Sequence, residues 1–316
     1  MRGDRPSLTA SCVAAIRALH AAMPAPYNLA PDPGAVDLVS PLLALPARAA
    51  ARAPRAAASM YRALDTVCFG LLQHVALRTA AIDDALREAL DRGASQLVLL
   101  GAGLDNRAGR MGELASLAVF EVDHPNMQRY KRERLDHAQR RPTSAGSERR
   151  RVTLVPVDFE RDRLDQSLIA AGFAASEPSF WIWEGVTVYL TPDAISQTLR
   201  AIAALSPPGS RVALTYTRPT DPPGPGAAES AGSRNGEGQR KSGLERWVVP
   251  PVRAIAGLIG EPVRGMLSRA ELERRLGDAG LALVSDESAK EWAPRYWPGQ
   301  AAPMREWERL AVVERI

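Results

Sequence analysis

Residues 96–110 read QLVLLGAGLDNRAGR and open on an uncharged, mostly aliphatic run that stops at two glycines one residue apart, Gly101 and Gly103. A run this short and apolar, closed by glycine, is the pattern of a strand buried on both faces, as in a parallel sheet covered by helices. Glycine at its end lets the backbone turn tightly and approach a ligand with no Cβ in the way. In parallel α/β sheets ligands bind beyond the carboxyl ends of the strands, so the GAG turn marks a candidate site.

Downstream the same grammar repeats. The runs LAVFEVD, VTLVPVD, FWIWEG, RVALTYT, LALVSDE and RLAVVERI follow QLVLL, mostly separated by stretches long enough for a helix. Seven strands joined this way predict an α/β sheet that is mostly parallel. The last two runs are joined by a loop-like stretch, which predicts that one of them is antiparallel. Between the fifth and sixth, residues 218–243 are rich in Pro, Gly and Ser and read as a flexible loop. The apolar stretch WVVPPVRAIAGLIGEPV behind it reads equally as a lid over the carboxyl ends of the strands or as another core helix; with the lid reading, loop and lid together occupy about 217–262.

Upstream, residues 1–95 contain no strand-like run and predict a helical N-terminal extension, with residues 96–316 as the core. SLTASCVAAIRALHAAM places Val13, Ile16, Leu19 and Met23 at helical spacing, with Ser7 or Thr9 as the cap. A second helical region starts at Ala35, and a third is read as continuous from Ser59 to a stop at Gly93.

The composition is that of an ordinary globular protein: 316 residues, 46% hydrophobic, 24% charged, formal charge +4 and pI near 9.3. The basic stretches RYKRERL and ERRR lack interleaved aromatics, so no nucleic-acid partner is expected. Cys12 and Cys68 form no metal-ligand or disulfide pattern, and no metal site is expected. With no spanning apolar run and no signal peptide, the expectation is a cytoplasmic protein without a membrane partner.

The third glycine of a dinucleotide fingerprint would fall at Asn106, which argues against a nicotinamide cofactor. Asp123 ends the second strand about 20 residues after the glycines, where a carboxylate can accept both hydroxyls of a ribose. The next two strands also end in acids, Asp158 and Glu184. Acids at successive strand tips suit a ligand with a ribose, an exocyclic amine and positive charge, as in S-adenosylmethionine, and would repel a pyrophosphate.

SLTASCVAAIRALH, DPGAVDLV, LRTAAIDDAL, QLVLLGAGLDNRAGRM, VFEVDHPNMQRYKRERL, VPVDFE and FWIWEGVTVYLTPDAI occur in this order between residue 7 and about 205. Together they resemble the S-adenosylmethionine-dependent methyltransferases of the leucine carboxyl methyltransferase type, particularly the bacterial O-methyltransferase branch. The resemblance implies a class I methyltransferase, Rossmann-like fold. It also implies roles: Arg78 for the donor's carboxylate, Gly101 and Gly103 under its methionyl and ribose part, Asp123 for the ribose. Asp158 and Phe159 would meet the adenine, and Glu184 the donor's amino group.

Glu160 stands where protein-methylating members carry an arginine for the substrate carboxylate, which speaks against a protein C-terminus as acceptor. The candidate catalytic residues are Tyr189, His124 and Glu160, the tyrosine by resemblance and the other two as possible bases near the strand tips. His20, His74 and His137 are read as helix residues without partners. The leading reading is methyl transfer to a small, fairly apolar, polyketide-like metabolite of secondary metabolism. Its rivals are a carboxyl methyltransferase acting on a protein C-terminus, a NAD-dependent oxidoreductase and a non-catalytic binding module.

Overall fold

The computed structural model describes residues 7–139, 152–219, 263–298 and 308–316. The chain opens with α1 (Leu8–Ala21), where the Ser7 hydroxyl accepts the N–H of Ala10 at 3.0 Å. It continues through α2 (Ala35–Leu38), α3 (Leu45–Arg52), α4 (Pro54–Val67) and α5 (Leu71–Asp91). The expectation of one unbroken helix from Ser59 to Gly93 is corrected here. Phe69 and Gly70 take φ of 53° and 75°, which breaks the helical path. The buried Asp65 carboxylate then accepts the N–H groups of Leu72 and Gln73 at 2.9 and 3.1 Å, capping α5 from the preceding helix.

Seven strands follow among the described residues: β1 (Gln96–Leu100), β2 (Ala118–Asp123), β3 (Val152–Pro156), β4 (Ser179–Trp183), β5 (Arg211–Thr217), β6 (Leu281–Ser288) and β7 (Glu308–Arg315). They form one sheet in the order β3-β2-β1-β4-β5-β7-β6. The pairs among β1 to β5 are parallel, and β7 is antiparallel to both β5 and β6. The reversed strand is therefore the last one. The join before it is not a plain loop, because α11 (Ala289–Tyr296) lies there with a Ser288–Glu291 capping box. The loop and lid read at 217–262 fall almost wholly outside the described residues.

The remaining helices are α6 (Arg107–Arg110), α7 (Pro125–Gln139), α8 (Leu164–Ala170), α9 (Pro192–Ala204) and α10 (Arg269–Ala279). Alternation along the strands sorts them into layers. Leu97, Leu99, Phe180, Ile182 and Ala213 face a core shared with α5, α11 and the N-terminal helices. Val98, Leu100, Phe120, Trp181, Trp183 and Val212 face the opposite core with α8, α9 and α10. A smaller cluster of Ala14, Leu38, Val39, Leu104 and Met127 binds α1 and α2 to the loop after β1 and to α7. Among the described residues no helix is long and apolar enough to cross a membrane.

Strand order reverses between β1 and β4, since the chain runs outward from β1 through β2 to β3, then returns to β4 on the other side. A crevice opens at such a switch point beyond the carboxyl ends of the strands.

Candidate active site

The turn after β1 is pulled onto β2 by two bonds: the N–H groups of Gly101 and Ala102 both donate to the Val122 carbonyl, at 2.8 and 3.0 Å. Gly101 has φ +66°, and a Cβ built on it would stand 2.3 Å from Val186 Cγ2. Gly103, at φ +49°, donates its N–H to Asp123 Oδ2 at 2.5 Å, while the N–H of His124 donates to Asp123 Oδ1 at 2.6 Å. Each carboxylate oxygen keeps lone-pair capacity beyond its one backbone bond. Burial pushes the Asp123 carboxyl up to about 6, against the pull of those two N–H donors.

A cavity of about 560 Å³ lies above this turn. Arg78, Gly101, Gly103, Asp123, His124, Asp158, Phe159, Glu160, Glu184 and Tyr189 all line it, so the fold brings every candidate from the sequence to one place. Asp158 Oδ1 accepts the N–H of Glu160 at 3.1 Å, turning the loop after β3, and Phe159 between them packs half-buried against the core while lining the cavity. Glu160 is exposed at the rim, and its two oxygens accept the N–H and hydroxyl of Thr191, each at 3.0 Å. Thr191 is the N-cap of α9, so Glu160 also braces a helix start. His124 Nδ1 accepts the N–H of Asn126 at 3.3 Å. Tyr189, half-buried in the 3₁₀ turn Thr187–Tyr189, lies 3.4 Å by its hydroxyl from Thr9 Oγ1 of α1.

Glu184 has company that sequence reasoning missed. Its Oε1 accepts from Arg17 Nη2 at 2.7 Å and Arg78 Nε at 3.0 Å, and its Oε2 from Arg107 Nη1 at 2.9 Å. Burial alone would raise this carboxyl, but Arg17, Arg107 and Arg78 together hold it well below the usual range. Arg107 also reaches Asp105 and, through Nε at 2.8 Å, Asp83. Arg78 Nη1 meets Glu308 of β7 at 2.7 Å, and Glu308 meets His74 at 2.5 Å. Two earlier expectations change as a result. Glu184 is not an uncompensated anion, so attraction of a cation by strand-tip acids rests on Asp123 and Asp158. His74 is not without a partner, and neither is His20, whose Nε2 lies 3.1 Å from the Tyr61 hydroxyl.

Arg17, Asp105 and Arg264 complete the charged lining among the described residues. The signal for Arg17 was an arginine inside an otherwise apolar helix face, which only a carboxylate partner makes tolerable in a buried position. Arg264 is separated from the other lining residues by more than seventy positions and gave no signal at all. Asn106, in place of a third glycine, donates from Nδ2 to Asp32 Oδ1 at 2.7 Å and so fastens the DPG loop to the site.

A model described as leucine carboxyl methyltransferase matches residues 10–203. A protein of Mycolicibacterium smegmatis, provisionally named S-adenosyl-L-methionine-dependent methyltransferase, is 44% identical over 142 residues, which is 45% of this chain and 46% of that protein. One from Mycobacterium sp. (strain KMS) with the same provisional name is 41% identical over 140 residues, 44% and 43% of the two chains. The match therefore spans less than half the length of these relatives. A crystal structure from Thermobifida fusca YX, provisionally called a methyltransferase, superimposes with a TM-score of 0.53 at 16% identity, over 99% of this chain and 96% of that one. It shares the fold.

Proposed function

The chain belongs to the leucine carboxyl methyltransferase family, and on that premise we propose that it transfers a methyl group from S-adenosylmethionine to an oxygen of a small, fairly apolar metabolite. The observation that carries this reading is Asp123. Its carboxylate is oriented by two backbone N–H groups at the edge of a cavity of about 560 Å³, beside a glycine turn where a Cβ would collide. Those features fit a ribose with its diol toward the acid.

The bound donor supplies a methyl group on a positively charged sulfur, already strongly electrophilic. Asp123 would accept the ribose hydroxyls, Asp158 and Phe159 would meet the adenine, and Gly101 and Gly103 would leave room for the chain between them. Arg17 and Arg78 retain N–H groups beyond those given to Glu184, and these would hold the donor's carboxylate. Glu184, its charge already offset by three guanidinium groups, would serve the donor's ammonium only as a hydrogen-bond acceptor, through the lone-pair capacity left on Oε2. Tyr189 and the apolar residues around it would align the acceptor and keep water out.

The acceptor's acidity follows from the two candidate bases. His124 Nδ1 already accepts a backbone N–H, which puts the proton of a neutral ring on Nε2. Glu160 is occupied with Thr191. Neither is poised to deprotonate an aliphatic alcohol, so the site favours an oxygen that ionises readily: carboxylate, phenol or enol.

The test is to incubate the protein with methyl-labelled S-adenosylmethionine and an extract of its own source, then to separate small molecules from protein. Label among small molecules is the expected outcome. Label that stays with protein and is released by mild base would replace this reading with carboxyl methylation of a polypeptide.

A further inference from the structure

Among the described residues, the cavity holds one cationic side chain to which no donor-binding role falls. Arg17 and Arg78 are both locked onto Glu184, whereas Arg264 lines the same cavity from an exposed position. Among the described residues its guanidinium makes no ion pair and no side-chain hydrogen bond. Its place is nonetheless built. The N–H groups of Arg264 and Gly265 both donate to the Val188 carbonyl, at 2.8 and 3.0 Å. Gly265 packs so closely on the 187–190 turn that a Cβ there would stand 2.0 Å from the Thr187 carbonyl oxygen.

That turn carries Tyr189, so Arg264 is pinned to the same backbone unit as the residue assigned to the acceptor. Glu160, a carboxylate of the same lining, spends both oxygens on Thr191. Val186 and Leu190 supply apolar lining beside it. A guanidinium carried on a backbone fixed at the cavity, with no partner for its donors among the described residues, matches a planar carboxylate, which it can bind bidentately.

We infer that Arg264 recognises an anionic group on the acceptor, and that the acceptor is an apolar molecule bearing a carboxylate. The inference rests on the methyl-transfer reading above and narrows it. It also reconciles two features: Glu160 stands where a carboxylate-gripping arginine occurs in protein-methylating relatives of the resemblance, and Arg264 would supply that grip from a different part of the chain.

The experiment uses Arg264→Met and Arg264→Lys beside the unaltered chain. S-adenosylhomocysteine binding is measured first by calorimetry, and both variants are expected to match the unaltered chain within about twofold, since Arg264 is not placed on the donor. Label transfer is then measured at dilute and concentrated extract. Loss of a charge-assisted hydrogen bond lowers transfer by Arg264→Met about 10- to 100-fold at dilute extract, with recovery at high concentration, and Arg264→Lys, which keeps the charge but not the planar fork, falls between the two. The small molecule consumed is expected to bind an anion exchanger at pH 7.

Equal transfer by Arg264→Met and the unaltered chain at dilute extract would overturn the inference, as would an acceptor that passes the exchanger unretained. Either result leaves donor binding and methyl transfer standing. If the unaltered chain binds no S-adenosylhomocysteine, the functional reading itself falls and the inference falls with it.

Discussion

At the tip of β2 the Asp123 carboxyl is raised from an ordinary 3.8 to about 6, mainly by burial. Between those values the folded chain holds a proton that the unfolded chain releases, so stability contributed by this group is present below pH 3.8 and declines as pH rises through 6. Donor affinity should run the other way, because ribose hydroxyls need the ionised form as acceptor. Calorimetry with S-adenosylhomocysteine should show Kd tightening by about fivefold from pH 5 to pH 6, about tenfold by pH 7, and levelling above that. Asp123→Ala should bind weakly with no such slope; a flat profile in the unaltered chain would remove Asp123 from the ribose. At Gly101 the positive φ and the 2.3 Å approach to Val186 act together. Gly101→Ala should lose about 2–4 kcal/mol in urea unfolding, from strain plus overpacking. Asp123 and the glycines were legible in the sequence because their roles are local to a strand end. Arg17, Asp105 and Arg264 were not, since a charged side chain reveals its partner only when the chain is folded.

The helix-to-helix boundary at residues 68–70 shows how an element can mislead. Residues 59–93 are rich in helix formers and interrupted only by Gly70, so periodicity alone runs straight through. The break depends on Asp65, whose carboxylate caps α5 across the turn while α4 ends. Asp65→Ala should cost about 1–2 kcal/mol, the range of a lost helix cap, and should show as a lowered urea midpoint with unchanged slope. A second element-level link is the fastening of the DPG loop to the turn after β1 through Asn106 and Asp32. Asp32 is 1% exposed, so Asn106→Ala leaves a buried acid short of a donor and should cost about 1–3 kcal/mol. Limited proteolysis should then cut faster between residues 24 and 34, and an unchanged cutting rate would show that the loop is held by packing instead.

Across the whole molecule, the site is closed by parts far apart in sequence. Glu184 from β4 gathers Arg17 from α1, Arg78 from α5 and Arg107 from the start of α6, and Arg78 is held in turn by Glu308 on the last strand. Burial alone would raise the Glu308 carboxyl, but Arg78 and His74 draw it down to about 2. Its stabilising contribution is therefore present above the ordinary 4.5 and lost as pH falls toward 2. Glu308→Gln leaves Arg78 with one carboxylate fewer and should cost about 3 kcal/mol at pH 7, visible as a drop of several degrees in Tm. The loss should shrink as the pH of the measurement is lowered from 4.5 toward 2, where the native carboxyl also takes up its proton. A loss independent of pH would mean that shape, not charge, is what Glu308 provides.

Strand-by-strand alternation, the glycine turn and the acids that follow each strand were readable in the one-dimensional chain. Each depends on neighbours within a few residues or on a repeated period. They sufficed for the α/β class, for the seven described strands and for the glycines and acids at the strand tips, whereas Arg78, Phe159 and Tyr189 entered only through the family resemblance. Which strand is reversed, where α4 gives way to α5, and how each carboxylate is compensated were decided by tertiary structure alone. Those outcomes depend on ion pairs and packing between segments as distant as Arg78 and Glu308, and no local pattern encodes which partner a buried charge will find.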